Sequence, residues 1–307
     1  MSPIEPIAYA SKQDATWEIY RMNPDGSGQT RLTTTGLQAR FAVWSPDHRQ
    51  IAYGIQERTD RGPWSLYVMD ADGRNSRKLA EHLAAKSPKG WSPDGSTLVY
   101  VAGERDARQI YLVAAKGGIP TQLTHDGVND DPRLSPDGTQ IVFTSTRNGN
   151  SDIYLMQADG THPVRLTDSP ARDARPAWSP DGRQIAFCSE RDGNREIYLT
   201  RVDGTGLTRV TRAGTDEDHP LWSPDGARLA IQVIRGQNYD VDLIELPDGR
   251  RVALGHGPEF EGQVDWAPDG QSLLLISDRS GTNLLYQATL DGKMTALTDR
   301  ETLNPDW

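Results

Sequence analysis

One tetrapeptide, Ser-Pro-Asp-Gly, returns behind a large apolar residue along this chain, and its period constrains the fold more than any other feature of the 307 residues. It stands at 92–95, 135–138, 179–182 and 223–226, with single-substitution variants at 45–48 and 267–270. The anchors in front of it are Trp44, Trp91, Leu134, Trp178, Trp222 and Trp266. With the final Trp307 they are spaced 47, 43, 44, 44, 44 and 41 residues apart. A period of about 44 residues is the size of one four-stranded blade of a β-propeller.

The spacing inside each period repeats as well. Nine residues after each anchor comes a large apolar residue, Tyr53, Tyr100, Phe143, Phe187, Ile231 or Leu275. Eleven further on come Tyr111, Tyr154, Tyr198, Asp242 and Tyr286, and Tyr9 and Tyr20 near the start are also eleven apart. Asp-Gly pairs follow, and several units close on Arg-Leu-Thr or a near variant, as at 31–33, 165–167 and 209–211. Each unit therefore reads as four short strands. Pro-Asp-Gly turns the first into the second, a polar loop leads to the third, and Asp-Gly turns the third into the fourth. The pattern predicts an all-β fold, a single domain over 1–307: a seven-bladed β-propeller of four-stranded antiparallel blades. The last segment, 304–307, is a first strand whose continuation is the segment from Pro6. It is expected to join the N-terminal blade and close the ring, which removes free sheet edges and makes a monomer the expected state.

Composition narrows function mainly by exclusion. The chain has 33 Lys and Arg against 43 Asp and Glu, a formal charge of −10, which argues against a nucleic-acid partner that would need a basic face. No apolar run approaches the roughly 18 residues of a membrane helix, so no membrane insertion is expected. The single cysteine, Cys188, rules out an internal disulfide and Cys-x-x-Cys chemistry. No basic-then-apolar leader is visible at the N-terminus.

The unit Trp178-Ser-Pro-Asp-Gly-Arg-Gln-Ile-Ala-Phe187, followed by Arg191-Asp-Gly-Asn194 and Glu196-Ile-Tyr198, resembles the WD40-like PD40 repeats of TolB-type β-propellers, and the resemblance runs through every unit. It implies a propeller of bacterial type acting as an interaction scaffold, with a periplasmic or extracellular location. Similar repeats also form the propeller of prolyl-oligopeptidase-type peptidases, and the seven-bladed oligogalacturonate lyases look similar.

Catalytic signatures are missing from the residues themselves. Gly-x-Ser-x-Gly, His-Glu-x-x-His, Walker A and Gly-x-Gly-x-x-Gly do not occur. The recurring Asp47, Asp94, Asp137, Asp181, Asp225 and Asp269 are turn residues, one per unit, whose side chains accept backbone N–H bonds. Asn148-Gly-Asn150 and Asp192-Gly-Asn194 lack the rest of a calcium loop and read as loop formers. Cys188, on a second strand, reads as a buried inert thiol.

Function must then sit where the units differ. The position three before each anchor should reach the axis at the channel mouth, and it holds Phe41, Pro88, Asp131, Arg175, His219, Gln263 and Asn304. The candidate ligand-binding residues are Arg40, Asp131, Arg175, Asp218, His219, Gln263 and Asn304, a mixed polar ring suited to specifying a ligand. His82, His125, His219 and His256 fall on one rim, and His219 and His256 are the candidate metal ligands, although the spacing is not that of a local metal motif and no cofactor is expected. The reading is a non-catalytic module that binds a protein or peptide at the mouth. The alternative is a polysaccharide lyase or other glycan-acting enzyme, with a histidine as base and Arg175 on a substrate carboxylate.

Overall fold

The computed structural model describes residues 5–13, 16–57, 62–83, 90–255 and 257–307, and every regular element in it is a β-strand. Four sheets have four strands each, joined antiparallel in chain order; the first of these runs Asn129–Leu134, Gln140–Ser145, Asp152–Gln157, Val164–Arg165. The earlier units are less separate than their sequence suggests. Twelve strands form one continuous sheet, because single bridges, Trp17 with Gln38 and Leu83 with Ala102, connect neighbouring units. The terminal strand Thr302–Asp306 lies antiparallel to Ile7–Gln13 in this sheet, pairing Ala8 with Asp306 and Ser11 with Thr302.

The regular spacings now have physical causes. The ninth and twentieth positions after an anchor are cross-strand partners: Tyr100 faces Tyr111, Phe143 faces Tyr154 and Phe187 faces Tyr198. Their rings pack 5.6, 5.7 and 5.9 Å apart, a favourable aromatic separation. The second strands are buried on both faces, as in Ser272–Ser277, since each sheet is covered by its neighbours. One cluster joins Val142, Ile153 and Leu155 of one sheet to Ile185, Phe187 and Tyr198 of the next, so the core lies between sheets.

The Ser-Pro-Asp-Gly turn is held by its own side chains. In 179–182, Asp181 Oδ1 accepts the Ser179 hydroxyl at 2.6 Å and the Arg183 N–H at 3.0 Å, while Ser179 Oγ accepts the Gln184 N–H at 2.9 Å. Gly182 takes φ 67°, a left-handed value that glycine adopts without steric cost. These bonds hold the Asp181 carboxyl below its usual range, with Ser179 contributing most. Among the six, only Asp269 lacks the serine hydroxyl, because Ala267 stands there, and it keeps the Gln271 N–H bond alone.

The Arg-x-Thr ending has an equally local purpose. Glu196 is fully buried at the head of the third strand, and it accepts bonds from Thr211 Oγ1 at 2.6 Å and Arg209 at 2.8 Å. Thr211 Oγ1 in turn accepts the Ile197 N–H at 2.9 Å. Glu18 is held in the same way by Arg31 and Thr33. A buried carboxylate is tolerated here because each oxygen is paired.

Consecutive units are stapled by their tryptophans. The indole N–H of Trp178 donates to the Arg133 carbonyl at 3.0 Å, that of Trp222 to Ala177 at 3.2 Å and that of Trp266 to Leu221 at 3.3 Å. In each case the acceptor is the residue before the preceding anchor.

Candidate functional site

Five first strands carry a bulge where the sequence placed the variable ring. Pairing with the second strand slips between Arg40 and Val43, Asp130 and Arg133, Ala174 and Ala177, Asp218 and Leu221, and Gly262 and Asp265. Inside these slips Phe41, Asp131, Arg175 and His219 take φ values of 62°, 50°, 57° and 51°, and Asn304 on the terminal strand takes 53°. A side chain in the left-handed region costs about 1 kcal/mol or more. The same cost recurs in five units because the bulge turns this one side chain out of the pleat.

Three of these side chains meet. A cavity of about 370 Å³ is lined by Asp131, Arg175 and His219 together with Arg133. Apolar residues also line it, among them Pro220, Leu221, Ile231, Phe260 and Val264. Arg175 Nη1 contacts the His219 ring and lies 3.0 Å from Asp218 Oδ2. Arg195 reaches the same Asp218 oxygen at 3.0 Å, and the His219 N–H donates to Asp218 Oδ1 at 2.9 Å. Burial opposes charge on Asp218, but His219, Arg175 and this backbone bond outweigh it and keep the carboxyl below its usual range. With 1% exposure, Asp218 stands behind the cavity as the group that positions Arg175 and His219.

Of the other predicted positions that are described, Arg40 and Asn304 are not among this cavity's lining residues. Arg40 stacks over Trp17 at 4.3 Å and donates to Gln38 at 3.2 Å. Asn304 belongs to the terminal strand. Gln263 sits in the Glu261–Trp266 strand, with its side chain outside the described residues, as are His256 and Pro88 altogether. Among the described residues, no three His, Cys, Asp or Glu side chains are grouped to hold a metal ion. Cys188 is 1% exposed, and burial raises its thiol pKa, as expected of an inert packing residue. Asn150 and Asn194 tie loops to the carbonyls of Ser169 and Thr215 at 2.6 and 2.7 Å, which accounts for their motif without calcium.

Sequence reasoning missed the second ring, the residue immediately before each anchor. It contributes Arg133 to the cavity and places Asp265 and Asp306 on adjacent first strands. Asp265 Oδ2 accepts the Trp307 N–H at 2.7 Å, and Asp306 Oδ2 accepts the Trp44 N–H at 2.6 Å. Enclosure pushes the Asp265 carboxyl up to about 6, and enclosure plus the neighbouring Asp265 charge raises Asp306 well above its ordinary range. The signal was present in the sequence as Asp-Trp at 265–266 and 306–307, but only adjacency in the fold makes the two a pair.

Similarity to known proteins follows the architecture. The fold resembles TolB from Acinetobacter baumannii, at 23% identity and TM-score 0.64 over 99% of this chain and 82% of that one. It also resembles an oligogalacturonate lyase solved in complex with manganese, at 18% identity and TM-score 0.75 over 93% and 86%. A third likeness is the β-propeller domain of the Trilobed protease from Pyrococcus furiosus, at 14% identity and TM-score 0.71 over 96% and 95%. These likenesses establish a propeller-like all-β fold. No curated protein matches the chain at the sequence level. The family model for the TolB beta propeller domain, PD40, matches residues 50–220, more than half of the chain, and the protein belongs to that family.

Proposed function

We propose that residues 1–307 form one seven-bladed propeller, its ring closed by the terminal strand, that binds a protein or peptide segment at the channel mouth without catalysing a reaction. Seven anchors and the pairing of Thr302–Asp306 with Ile7–Gln13 support the closed count. The observation that carries the binding reading is the cavity itself. Asp131, Arg175 and His219, from three consecutive units, are turned by strained bulges onto one concave space that apolar residues also line. The unlike polar groups supply orientation, and the apolar residues supply area to bury.

Immobilised protein tests this reading through partner capture from the source cells. His219→Ala and Asp131→Asn are expected to weaken recovery of a specific partner while the melting temperature stays within about 2 °C, since both residues are solvent-accessible. Equal recovery by wild type and both variants would sink the placement of the site.

A second reading, an enzyme acting on acidic glycans, draws on the likeness to the lyase and on Arg175 beside His219. New unsaturated ends on uronate oligosaccharides incubated with the protein and manganese, absent in His219→Ala, would move this reading ahead.

A further inference from the structure

One residue of the mouth cavity departs from its equivalents in the other units, and its chemistry narrows the ligand, an inference that rests on the mouth being the binding site. Gln232 lines the cavity from a second strand, where it faces Asp218 across the sheet. At the same register the other bulged units place Gly54, Thr144, Cys188 and Ile276, all buried and none with a long polar side chain. Gln232 is only partly buried, and among the described residues its amide has no hydrogen-bond partner. Gly262, on the next first strand, makes room for it. The backbone there is not left-handed and does not require glycine, yet a Cβ would stand 2.9 Å from Phe260 Cζ and 3.1 Å from Gln232 Nε2. The absent side chain lets the Phe260 ring and the Gln232 amide approach one another in the cavity lining.

A primary amide presents an N–H and a C=O side by side on one edge. A second primary carboxamide satisfies both at once, through two parallel N–H···O bonds. A trans peptide group cannot, because its own N–H and C=O point in opposite directions. Ions fit less well. A carboxylate brings no donor and an ammonium no acceptor, and a lining that holds both Asp131 and Arg175 presents either ion with a like charge. In an unmodified polypeptide the primary carboxamides are asparagine and glutamine side chains, whose methylene carbons can lie against the Phe260 ring while the amide meets Gln232.

We propose that the mouth cavity receives an asparagine or glutamine side chain of the partner segment, its carboxamide paired with the Gln232 amide and its methylene carbons against Phe260. The N-acetyl N-methylamides of glutamine, asparagine and methionine test this by NMR titration of the whole chain, with the Gln232 side-chain NH2 signal assigned from its loss in Gln232→Leu. All three compounds carry the same two trans peptide groups, so only the side chain differs. The glutamine or the asparagine compound is expected to shift that signal and to bind about tenfold or more tightly than the methionine compound, as two added hydrogen bonds require. Gln232→Leu should remove the preference without lowering the melting temperature, because the amide has no partner within the described protein to lose. Binding of neither carboxamide, or binding of the methionine compound as tightly, overturns the proposal. If Gln232→Leu captures the partner as well as wild type does and His219→Ala does not, the mouth remains the site and only the carboxamide is wrong. If neither variant changes capture, both readings fall.

Discussion

The seams between units are built in two ways, and the contrast shows where this fold tolerates variation. From Leu134 to Trp266, each tryptophan reaches back with its indole N–H to the carbonyl before the preceding anchor, at 3.0 to 3.3 Å. Around the terminal strand the direction reverses. There Asp265 and Asp306, standing before their anchors, reach forward to the backbone N–H of Trp307 and Trp44. The Trp44 indole N–H is buried and has no partner among the described residues. An indole staple is neutral and insensitive to pH, whereas two enclosed carboxylates on adjacent strands repel unless they share a proton. The place where the two ends of the chain meet is thus the seam that depends on conditions.

Truncation of an indole should produce the largest effect. Trp222 is 8% exposed and packs with Leu229, Ile231 and Val233 of its own sheet against Ala186, Ile197 and Leu199 of the preceding one. Trp222→Ala is expected to cost about 3–5 kcal/mol in urea unfolding, from lost burial and the cavity left behind.

The carboxylate seam should respond to pH with a known sign. Folding raises the pKa of both acids, so the native state binds more protons than the unfolded chain above the ordinary aspartate value. Their contribution is therefore fully present below about pH 4 and is lost as pH rises through about 6 and the higher Asp306 value. Asp265→Asn keeps an oxygen for the Trp307 N–H and offers Asp306 a donor. It should raise stability by on the order of 1–2 kcal/mol at pH 8 and change little at pH 4. A variant that is equally destabilised at both values would show that the pair does not share a proton.

Two conservative substitutions sharpen the comparison at the smallest scale. Trp222→Phe removes an N–H that has a partner, and Trp44→Phe removes one that has none among the described residues. The first should cost about 1 kcal/mol more than the second. Equal costs would mean that the indole bond adds nothing beyond packing.

Much of the fold was legible because a repeat multiplies weak local signals. Turn chemistry at 179–182 appears as read, and the eleven-residue spacing of Phe187 and Tyr198 turns out to be a cross-strand facing; both depend on residues close in sequence. The variable position three before each anchor was legible too, since periodicity alone singles it out. Its left-handed backbone was not, because Arg175 and His219 have no intrinsic preference for that region and adopt it only inside a bulge that the neighbouring strand imposes. The fusion of the first units by Trp17–Gln38 and Leu83–Ala102 was equally hidden, being set by how closely two sheets approach.

By itself, then, the sequence determined the period, the strand content, the turns and the family, all of which follow from hydrogen bonds and side-chain alternation within some 40 residues. Tertiary structure alone decided which variable residues converge. Asp131, Arg175 and His219 share a cavity, Asp218 is withdrawn behind them, and Asp265 and Asp306 become a pair. The physical reason is that burial and Coulomb interaction depend on distance in space, and distances between units are set by packing that no single repeat contains.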